Sequence, residues 1–376
     1  MRRAFVSTGL AAGLSLLVPA AVPAAPYSPV GWHTMLYPSM RPATVAKVFR
    51  AGAASGASPL RVDVPVVQVF PNGRSPDWAA LDTYRAAARR YKVDVLGVLY
   101  GSPQTPLSCP SANVLICPPS DLTAWRSLVE RIVRRAPEIR YWEAWNEPSH
   151  AKFFSGSPSD YAEILRATYA AVRRANPAAK VVFGGPPLGE AEIRWTAAVL
   201  DGGGRGNFDI ASVHFRGRLR SMRAQTRHGL ALFRRSGFRG PLWVTETGYP
   251  SDPAFQYDPP LLGGPADQAR FMRAMVQQIL GAGAARVFVT ARDSEHRKWG
   301  VLTSEGVLTW PALAPKPSYA AISALTRGLR RRCRGRWLKC RRKLQRTDDA
   351  ARGGQLHAQD ARFGRNLARL ERRMKM

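Results

Sequence analysis

The sequence is poor in lysine, histidine and acidic residues. Its 376 residues include 56 basic and 26 acidic side chains and 6 histidines, and counting gives nine lysines and 47 arginines. The formal net charge of +30 therefore rests on arginine. Such a bias beside abundant alanine is typical of a GC-rich genome and does not by itself indicate a partner. With 45% hydrophobic residues and ten tryptophans, the chain can bury a large core, which excludes a disordered charged polymer.

Long apolar runs are also scarce. One run, residues 4–22, follows two arginines and precedes two small alanines, which is the layout of a secretory signal peptide. We therefore expect residues 1–25 to be removed on export, with an uncleaved N-terminal anchor as the alternative. The stretch RRAFV resembles a twin-arginine signal but does not decide the export route. Since no second long run follows, the sequence argues against a membrane-spanning helix.

Cysteine is rare, and its spacing is the informative feature. Cys109 and Cys117 flank one short segment, and Cys333 and Cys340 flank another. Two close pairs in an exported chain predict two local disulfides. Zinc ligation is the alternative, but the sequence has neither a Cys-x-x-Cys pair nor a His-Glu-x-x-His helix.

Between residues 30 and 326 short apolar runs alternate with longer amphipathic stretches. The eight apolar runs, interpreted as strands, are VGWHTML, LRVDVPVVQV, KVDVLGVLY, IRYWEAWNE, KVVFGG, FDIASVHF, PLWVTETG and ARVFVTARD. The predicted helices include residues 76–91, 120–136, 158–175, 191–200, 218–236, 266–282 and 317–329. Strands that alternate with helices pair in parallel, and eight such units predict an α/β fold, a closed (β/α)8 TIM barrel over residues 26–326 with a basic C-terminal extension. A doubly wound open sheet is the alternative, but no Gly-x-Gly-x-x-Gly turn follows the first strand.

Two glutamates stand where such a barrel carries its chemistry, at the carboxyl ends of strands. Glu147, preceded by Asn146, ends the fourth strand, and Glu246 lies on the seventh in VTETGYPS. They are 99 residues apart (246 − 147), or three βα units of about 33 residues each. Glycosidic bond cleavage needs two such carboxyl groups, one protonated as an acid and the other ionised as a nucleophile or base. A structural salt bridge to arginine is the alternative.

The residues around this pair resemble clan A glycoside hydrolases, the retaining (β/α)8 superfamily that includes families 39 and 5. WNEP and TETG resemble the acid/base and nucleophile motifs of that clan. The resemblance implies that Glu147 is the acid/base, Asn146 a donor to the sugar 2-hydroxyl, and Glu246 the nucleophile. Arg61, in LRVDV on the second strand, matches the arginine that keeps the nucleophile ionised. The physics agrees, because a guanidinium beside a carboxylate lowers its pKa.

The sixth strand departs from the clan's pattern. His214 in SVHF matches a His-x-Tyr motif, but the third residue is Arg216, where the clan has a tyrosine that contacts the nucleophile. This leaves Tyr249, Tyr100 or altered chemistry to replace that tyrosine. A structural core histidine is the plainer interpretation of His214.

The eighth strand departs as well. Many clan members place a sugar-stacking tryptophan there, whereas FVTARDS offers Arg292 and Asp293. Trp299 lies a little downstream in RKWGVL, which resembles the clan's closing segment, as does KPSYAAISAL. The residues that we expect to bind substrate are Asn146, Arg61, His214, Tyr249, Arg292 and Trp299.

Four interior positions have two interpretations each. Glu143 has the strand parity of the predicted acid and should point into the barrel; a structural carboxylate paired with arginine is favoured over a third catalytic acid. Trp145 is either a sugar platform or barrel filler. His33 on the first strand either reaches a substrate at the mouth or, in the favoured interpretation, does not contact it. Asp63, two residues after Arg61 on the same face, pairs with that arginine in the plainer interpretation.

The C-terminal segment, residues 327–376, carries 18 basic and 4 acidic side chains, a net charge of +14. A solvated, partly disordered segment is the plainer interpretation. The more specific interpretation is that this segment binds anionic polymers of the cell envelope. Nucleic acid is a poor candidate, because Trp337 is the sole aromatic residue interleaved with the basic run.

Together these features predict an exported glycoside hydrolase that acts on an oligo- or polysaccharide with retention and needs no metal or organic cofactor. Retention requires the two carboxyl groups to lie about 5–5.5 Å apart, whereas a gap beyond about 6.5 Å indicates inversion. The alternative is a catalytically silent carbohydrate- or envelope-binding barrel, favoured by the missing tyrosine and opposed by the retained carboxylates. A third hypothesis, a polyanion-binding protein, places all function in the tail. The sequence contains no readable code for the sugar.

Overall fold

The fold is described by a computed structural model that covers residues 27–104, 109, 113–255, 264–295 and 303–333. The strands are β1 (Val30–His33), β2 (Leu60–Pro65), β3 (Val95–Tyr100), β4 (Tyr141–Ala144), β5 (Lys180–Val182), β6 (Ala211–His214), β7 (Leu242–Thr247) and β8 (Arg286–Thr290). The α-helices are α1 (Pro42–Ser55), α2 (Val66–Val69), α3 (Ala79–Tyr91), α4 (Leu122–Arg135), α5 (Pro158–Ala175), α6 (Glu190–Val199), α7 (Met222–Arg235), α8 (Pro265–Gly281) and α9 (Pro317–Cys333). The predicted signal peptide, Trp299, Cys340 and residues 334–376 lie outside the described residues.

All eight strands pair in parallel, in the order β5-β4-β3-β2-β1-β8-β7-β6. A parallel bridge between Val182 and Ile210 links the two edge strands. The sheet is therefore a nearly closed barrel with helices between its strands, which confirms the predicted TIM barrel. Each of the eight apolar runs contains one strand. The second run differs in length, because its strand ends at Pro65 and the rest forms the single helical turn α2.

Two apolar layers fill the fold. The larger lies between the barrel and its helices, where Trp142 of β4 is fully buried. The smaller, which we call the base layer, lies inside the barrel near the amino ends of the strands and consists of Leu96, Val182, Ile210, Trp243, Ala285 and Phe288. Gly31 of β1 makes room for this layer, because a Cβ there would lie 2.7 Å from the ring of Phe288. The base of the barrel is thus a packed apolar plug.

The last helix extends beyond the predicted end of the barrel at residue 326. Leu329 of α9 is buried, and the Nη1 groups of Arg327 and Arg330 donate to the carbonyls of Ala54 and Gly56 at the end of α1. Cations suit a helix C-terminus, whose last carbonyls lack partners. Residues 327–333 therefore belong to the last helix, although they share the basic composition of the tail.

Loops at the mouth are held by covalent and hydrogen bonds. Cys109 and Cys117 form a disulfide in the β3–α4 loop, which confirms the first predicted pair. The same loop meets the β4–α5 loop, where the backbone N–H of Ser155 donates to the carbonyl of Ile116 at 2.9 Å. Across the described part of the chain, no helix has the length and apolar character needed to cross a membrane.

Candidate active site

Charged side chains replace the apolar filling at the carboxyl ends of the strands. Arg61 on β2, Glu143 on β4, His214 on β6 and Glu246 on β7 converge there, and their side chains are between 0% and 11% exposed. Buried charges are tolerated when each one is paired and hydrogen-bonded. The pairing therefore determines what the site can do.

Arg61 is the hub of the site. Its Nε donates to Glu143 at 2.5 Å, its Nη1 to Glu246 Oε1 at 2.7 Å, and its Nη2 to Asn146 Oδ1 at 2.7 Å. Burial alone would lower the pKa of Arg61, but the carboxylates of Glu143 and Glu246 raise it above its ordinary value. The arginine is permanently charged, and Glu143 is the structural carboxylate that parity and composition predicted.

Glu246 is surrounded by positive charge. Besides Arg61, Arg216 Nη2 donates to its Oε2 at 3.3 Å, and nitrogens of His33 and His214 lie 3.7 Å from its Oε1. Burial alone would raise the pKa of Glu246, but the two histidines, which carry charge only when protonated, and the two permanently charged arginines outweigh it and hold the pKa well below its usual range. Burial lowers the pKa of His33 to about 3. His33 is thus neutral at neutral pH, and the arginines keep Glu246 ionised.

The tautomer of His33 follows from its contact with Arg61. Arg61 Nη1 lies 2.9 Å from His33 Nδ1, and a guanidinium can only donate, so Nδ1 accepts. The proton of the neutral ring is therefore on Nε2, 3.7 Å from Glu246 Oε1. That distance is too long for a hydrogen bond. His33 thus holds an N–H donor beside the carboxylate, where a substrate oxygen can accept it.

Glu147 sits on a strained backbone at the end of β4. Both Trp145 (φ 72°) and Glu147 (φ 44°) have positive φ, which is uncommon outside glycine and clusters at functional sites. The N–H of Glu147 donates to Gly184 O at 2.7 Å, and its side chain lies 2.8 Å from His214 Nδ1. Trp145 is fully buried, and its Nε1 donates to Phe153 O at 2.8 Å. Its ring fills the barrel wall and has no exposed face for a sugar.

One proton is shared between Glu147 and His214. The hydroxyl of Thr245 donates to ionised Glu143 at 3.0 Å, so it accepts from His214 Nε2 at 2.9 Å. His214 Nε2 therefore carries a proton. The 2.8 Å contact between Nδ1 and Glu147 Oε1 then requires a further proton, either on the carboxyl group or on the ring. Glu147 is thus supplied with the proton that a general acid needs.

A bulge in β7 creates this arrangement. Val213 pairs with Val244 but His214 pairs with Glu246, so Thr245 is the extra residue. Thr245 and Glu246, neighbours in sequence, therefore both contact groups inside the barrel. Gly185 at the end of β5 makes room for the histidine, because a Cβ at its φ of 63° would overlap the His214 ring.

Arg216 takes the contact that the clan's tyrosine makes with the nucleophile. Besides its bond to Glu246, its Nε lies 3.0 Å from both carboxylate oxygens of Glu305. Glu305 is fully buried and also accepts from the hydroxyl of Thr290 at 3.0 Å. Sequence reasoning missed Glu305; the signal was an isolated acid directly before the apolar stretch GVL in SEGVL. The substitution of tyrosine by arginine is thus matched by a buried counter-charge.

The two candidate tyrosines lie elsewhere. Tyr249 is 1% exposed, and its ring stacks on Phe271 at 4.5 Å. Tyr100 packs edge-on against Trp145, with ring centroids 6.4 Å apart. Burial raises the pKa of Tyr100 well above its ordinary value. Substrate binding by Tyr249 stays a prediction, and its burial argues against direct contact.

Arg292 connects the segment after β8 to the segment after β1. It is fully buried; its Nη2 donates to Met35 O at 2.7 Å and its Nη1 to Glu295 at 2.6 Å, and its guanidinium lies 4.1 Å from the centre of the Trp310 ring. The structure does not bring it to the carboxylate pair, so substrate binding by Arg292 stays a prediction. The same role for Trp299 falls outside the described residues.

Asp63 departs from its expected pairing. No ion pair joins it to Arg61, because the nitrogens of that arginine serve Glu143, Glu246, Asn146 and His33. Burial raises the pKa of Asp63 to about 7, with the charges of Glu246 and Glu143 adding to the effect and Arg61 opposing it. Asp63 is therefore a carboxyl group at the mouth without a fixed partner among the described residues.

Three donor atoms of the site lie close enough to share one ligand. Oxygens of Glu147 and Glu246 and a nitrogen of His214 are all within 4.8 Å of one another. Two arginines contact Glu246, and their charge opposes a divalent cation at this position. The same spacing lets both carboxyl groups contact a single bound molecule.

Comparisons with known proteins identify the fold. No protein-family model and no curated protein matches the chain. Among solved structures, a family 39 glycoside hydrolase from Bacteroides cellulosilyticus matches with a TM-score of 0.62 and 17% identity over 79% of this chain. A family 39 β-xylosidase from Caulobacter crescentus matches at 0.60 and 19% over 82% of this chain and 73% of its own length. A family 5 subfamily 18 protein from Streptomyces cattleya, in complex with GlcNAc, matches at 0.58 and 16% over 81% and 80%.

These similarities are to the fold of clan A glycoside hydrolases. The chain spans 63% of the length of the B. cellulosilyticus enzyme and 62% of that of a glucosidase from Croceicoccus marinus. Its barrel is therefore of the type found in families 39 and 5, in agreement with the resemblance read from WNEP and TETG.

Proposed function

We propose that the protein is an exported glycoside hydrolase that cleaves O-glycosidic bonds of a glycan with retention of configuration. The observation that carries the proposal is the carboxyl pair, whose oxygens lie within 4.8 Å of each other. That spacing is close to the roughly 5–5.5 Å of retaining enzymes and below the roughly 6.5 Å at which inversion begins. The surroundings of the two carboxyl groups also differ as a retaining mechanism requires. Arginines hold Glu246 ionised, while Glu147 shares a proton with His214.

In the first step Glu246 attacks the anomeric carbon. Glu147 donates its proton to the glycosidic oxygen, and the leaving sugar departs as an alcohol. A covalent glycosyl ester on Glu246 remains. Arg61 and Arg216 hold the carboxylate in place for the attack. Both arginines lose a negatively charged partner when Glu246 becomes an ester.

In the second step Glu147, now ionised, removes a proton from water, and the water attacks the anomeric carbon. Glu246 departs as a carboxylate, which its two arginines stabilise. Asn146 assists both steps: because Arg61 donates to its Oδ1, its NH2 group faces away from the arginine. That group is the donor for the sugar 2-hydroxyl.

The structural neighbours support a glycan substrate without naming it. They include a β-xylosidase, a glucosidase and an exo-β-1,4-mannosidase. Export rests on the N-terminal apolar run, and the net charge of +14 in residues 327–376 fits adhesion to anionic envelope polymers. Deleting residues 334–376, which follow α9, tests whether hydrolysis belongs to the barrel and adhesion to the tail. If it does, hydrolysis survives the deletion.

The decisive experiment is turnover of a panel of aryl β-glycosides and labelled oligosaccharides, with 1H NMR of the first product. We expect one sugar to be cleaved and the product to keep the anomeric configuration of the substrate. Glu246→Gln should abolish cleavage, and Glu147→Gln should spare only the first step for substrates whose leaving groups need no proton, while slowing hydrolysis of the glycosyl ester in the second step. An inverted product would exclude the nucleophilic role of Glu246.

A second candidate function is a catalytically silent glycan-binding barrel. The observation that favours it is the double arginine contact of Glu246, since a carboxylate bound at both oxygens is a weaker nucleophile. A broad glycan array distinguishes the two. Binding that persists in both glutamine variants, with no turnover of any bound glycan, supports the silent barrel.

A further inference from the structure

A cavity lies at the end of β2, between the β1–α1 loop, α2 and the start of α3. Its volume is about 250 Å³, and its walls include Ser39, Asp63, Gln68, Asp77, Leu81 and Tyr84. Sites for drug-sized ligands span roughly 300–1,000 Å³. The cavity therefore has room for one sugar ring and not for several.

Asp63 connects this cavity to the proposed catalytic centre. It has the parity of Arg61 on β2 and so faces the barrel mouth. The charges of Arg61, Glu246 and Glu143 all act on its carboxyl group. Asp63 therefore belongs both to the wall of the cavity and to the surroundings of the charged groups at the mouth.

The charged side chains that line the cavity are acidic, although the chain as a whole is basic. The sequence has 56 basic and 26 acidic residues, yet the cavity is lined by two aspartates and, among the described residues, by no lysine or arginine. Asp77 is exposed at the outer edge and accepts from the N–H of Ala79 at 2.9 Å. Asp63, on the inner wall, has no hydrogen-bond donor among the described residues. The cavity therefore offers an unmatched carboxylate to whatever enters it.

We propose that the cavity binds the ring of an amino sugar that carries a free ammonium group, and that Asp63 accepts its N–H hydrogen bonds. This substrate class rests on the proposed function, and it narrows the glycan to one with unacetylated amino sugars. A charge-assisted N⁺–H···O⁻ bond is about twice as strong as a neutral one. An ammonium also supplies the positive charge that the cavity wall lacks. Hydroxyl and N-acetyl groups at the same ring position supply hydrogen bonds but no charge.

The electrostatics of Asp63 agree with a cationic ligand. Burial raises the pKa of its carboxyl to about 7, and two neighbouring glutamates contribute to the same direction. Such a group ionises readily once a cation approaches. A bound ammonium would complete an ion pair that the protein itself leaves open.

The test measures binding without hydrolysis, on the full-length Glu147→Gln variant at pH 7. The probes are the methyl β-glycosides of glucosamine, galactosamine and mannosamine, each beside its 2-hydroxy and N-acetyl counterparts. We expect at least one amino glycoside to bind about 10- to 100-fold tighter than its counterparts, as a charge-assisted contact implies. Adding Asp63→Asn, which keeps the shape, removes the preference, whereas adding Asp77→Asn at the outer edge leaves most of it.

Three outcomes overturn the proposal, and the first two are that no amino glycoside binds tighter than its counterparts, or that the preference survives Asp63→Asn. Equal loss of amino and neutral sugars in Asp63→Asn also overturns it, because Asp63 then recognises hydroxyl groups. The turnover panel is independent of this result. Turnover without an amino preference rejects the cavity assignment alone, and an amino preference without turnover rejects catalysis alone.

Discussion

The two ends of the barrel interior are filled by opposite chemistry. At the base, Trp243 and Phe288 pack with smaller apolar side chains, and this layer closes the barrel. At the mouth, Arg61 binds Glu143 and Glu246, and Arg216 binds the same Glu246 and a third carboxylate, Glu305. Burying apolar surface stabilises a fold directly, whereas buried charges cost desolvation that good pairing only offsets. The base therefore stabilises the barrel, whereas the mouth keeps costly charged groups buried, as the proposed catalytic function requires.

The largest expected effect comes from replacing Glu246 at the mouth, where turnover and stability can be measured separately. If Glu246 is the proposed nucleophile, Glu246→Gln should lower kcat/KM by roughly 10⁴-fold or more on any substrate that the protein cleaves, as loss of a covalent catalyst does. It should also destabilise the fold at pH 7, because its folded pKa is depressed. A depressed pKa stabilises above the unfolded value of about 4.3 and that contribution is lost as pH falls through the folded pKa. The stability deficit should therefore narrow as pH drops below about 4.

Kinetics and pH-dependent thermal melts check this prediction. Glu163→Gln, an exposed carboxylate on α5, is the matched control and should change neither quantity. Normal turnover by the Glu246→Gln protein would show that Glu246 is not the nucleophile. The mouth and the base would then differ in composition and stability but not in function.

The next effect tests whether Arg216 and Glu305 act as one unit. Removing one partner of a buried ion pair leaves an uncompensated charge, and we expect Arg216→Gln or Glu305→Gln to lower the free energy of unfolding by about 3–5 kcal/mol. The double variant should lose clearly less than the sum of the two. Chemical denaturation of all four proteins measures the coupling. Additive losses would mean that the pair found at 3.0 Å is not energetically coupled.

A smaller effect should come from the base. Phe288→Leu removes ring atoms from the packed layer and should lower the free energy of unfolding by about 1–2 kcal/mol. Because the base layer contacts no group of the carboxylate pair, the pH profile of turnover should not change. Stability by denaturation and a pH–rate profile check the two halves of this prediction. A shifted pH optimum would show that base and mouth are coupled.

The last effect is of similar size but has the opposite sign. The folded pKa of Asp63 is raised to about 7, so its ionisation destabilises the fold increasingly between the unfolded value of about 3.9 and pH 7. Asp63→Asn should therefore stabilise the protein at pH 8, by about 1–2 kcal/mol after allowance for partial exposure, and much less at pH 4. Asp77→Asn should show no such pH-dependent gain. Thermal melts at both pH values decide, and a loss of stability at pH 8 would contradict the raised pKa.

Much of the fold and part of the site could be predicted from the sequence. The alternation of apolar runs and amphipathic stretches gave all eight strands, and their order placed Glu147 and Glu246 at one mouth. The rule of alternating faces failed in β7, because the bulge at Thr245 brings two consecutive residues inside. Glu305 escaped because its partner Arg216 lies 89 residues away in the chain. No local pattern records such a pair.

The sequence by itself determined the barrel, the ends of its strands and the residue types at its mouth, because hydrophobic periodicity and strand-ending prolines act over a few residues. Only the tertiary structure decided which charges meet. Arg61 and Glu246 are 185 positions apart and 2.7 Å apart in space, and closing the barrel is what joins them. Ionisation states depend on neighbours within a few ångströms, so the ionised Glu246, the proton shared by Glu147 and His214, and the unmatched carboxylate of Asp63 exist only once the strands have closed.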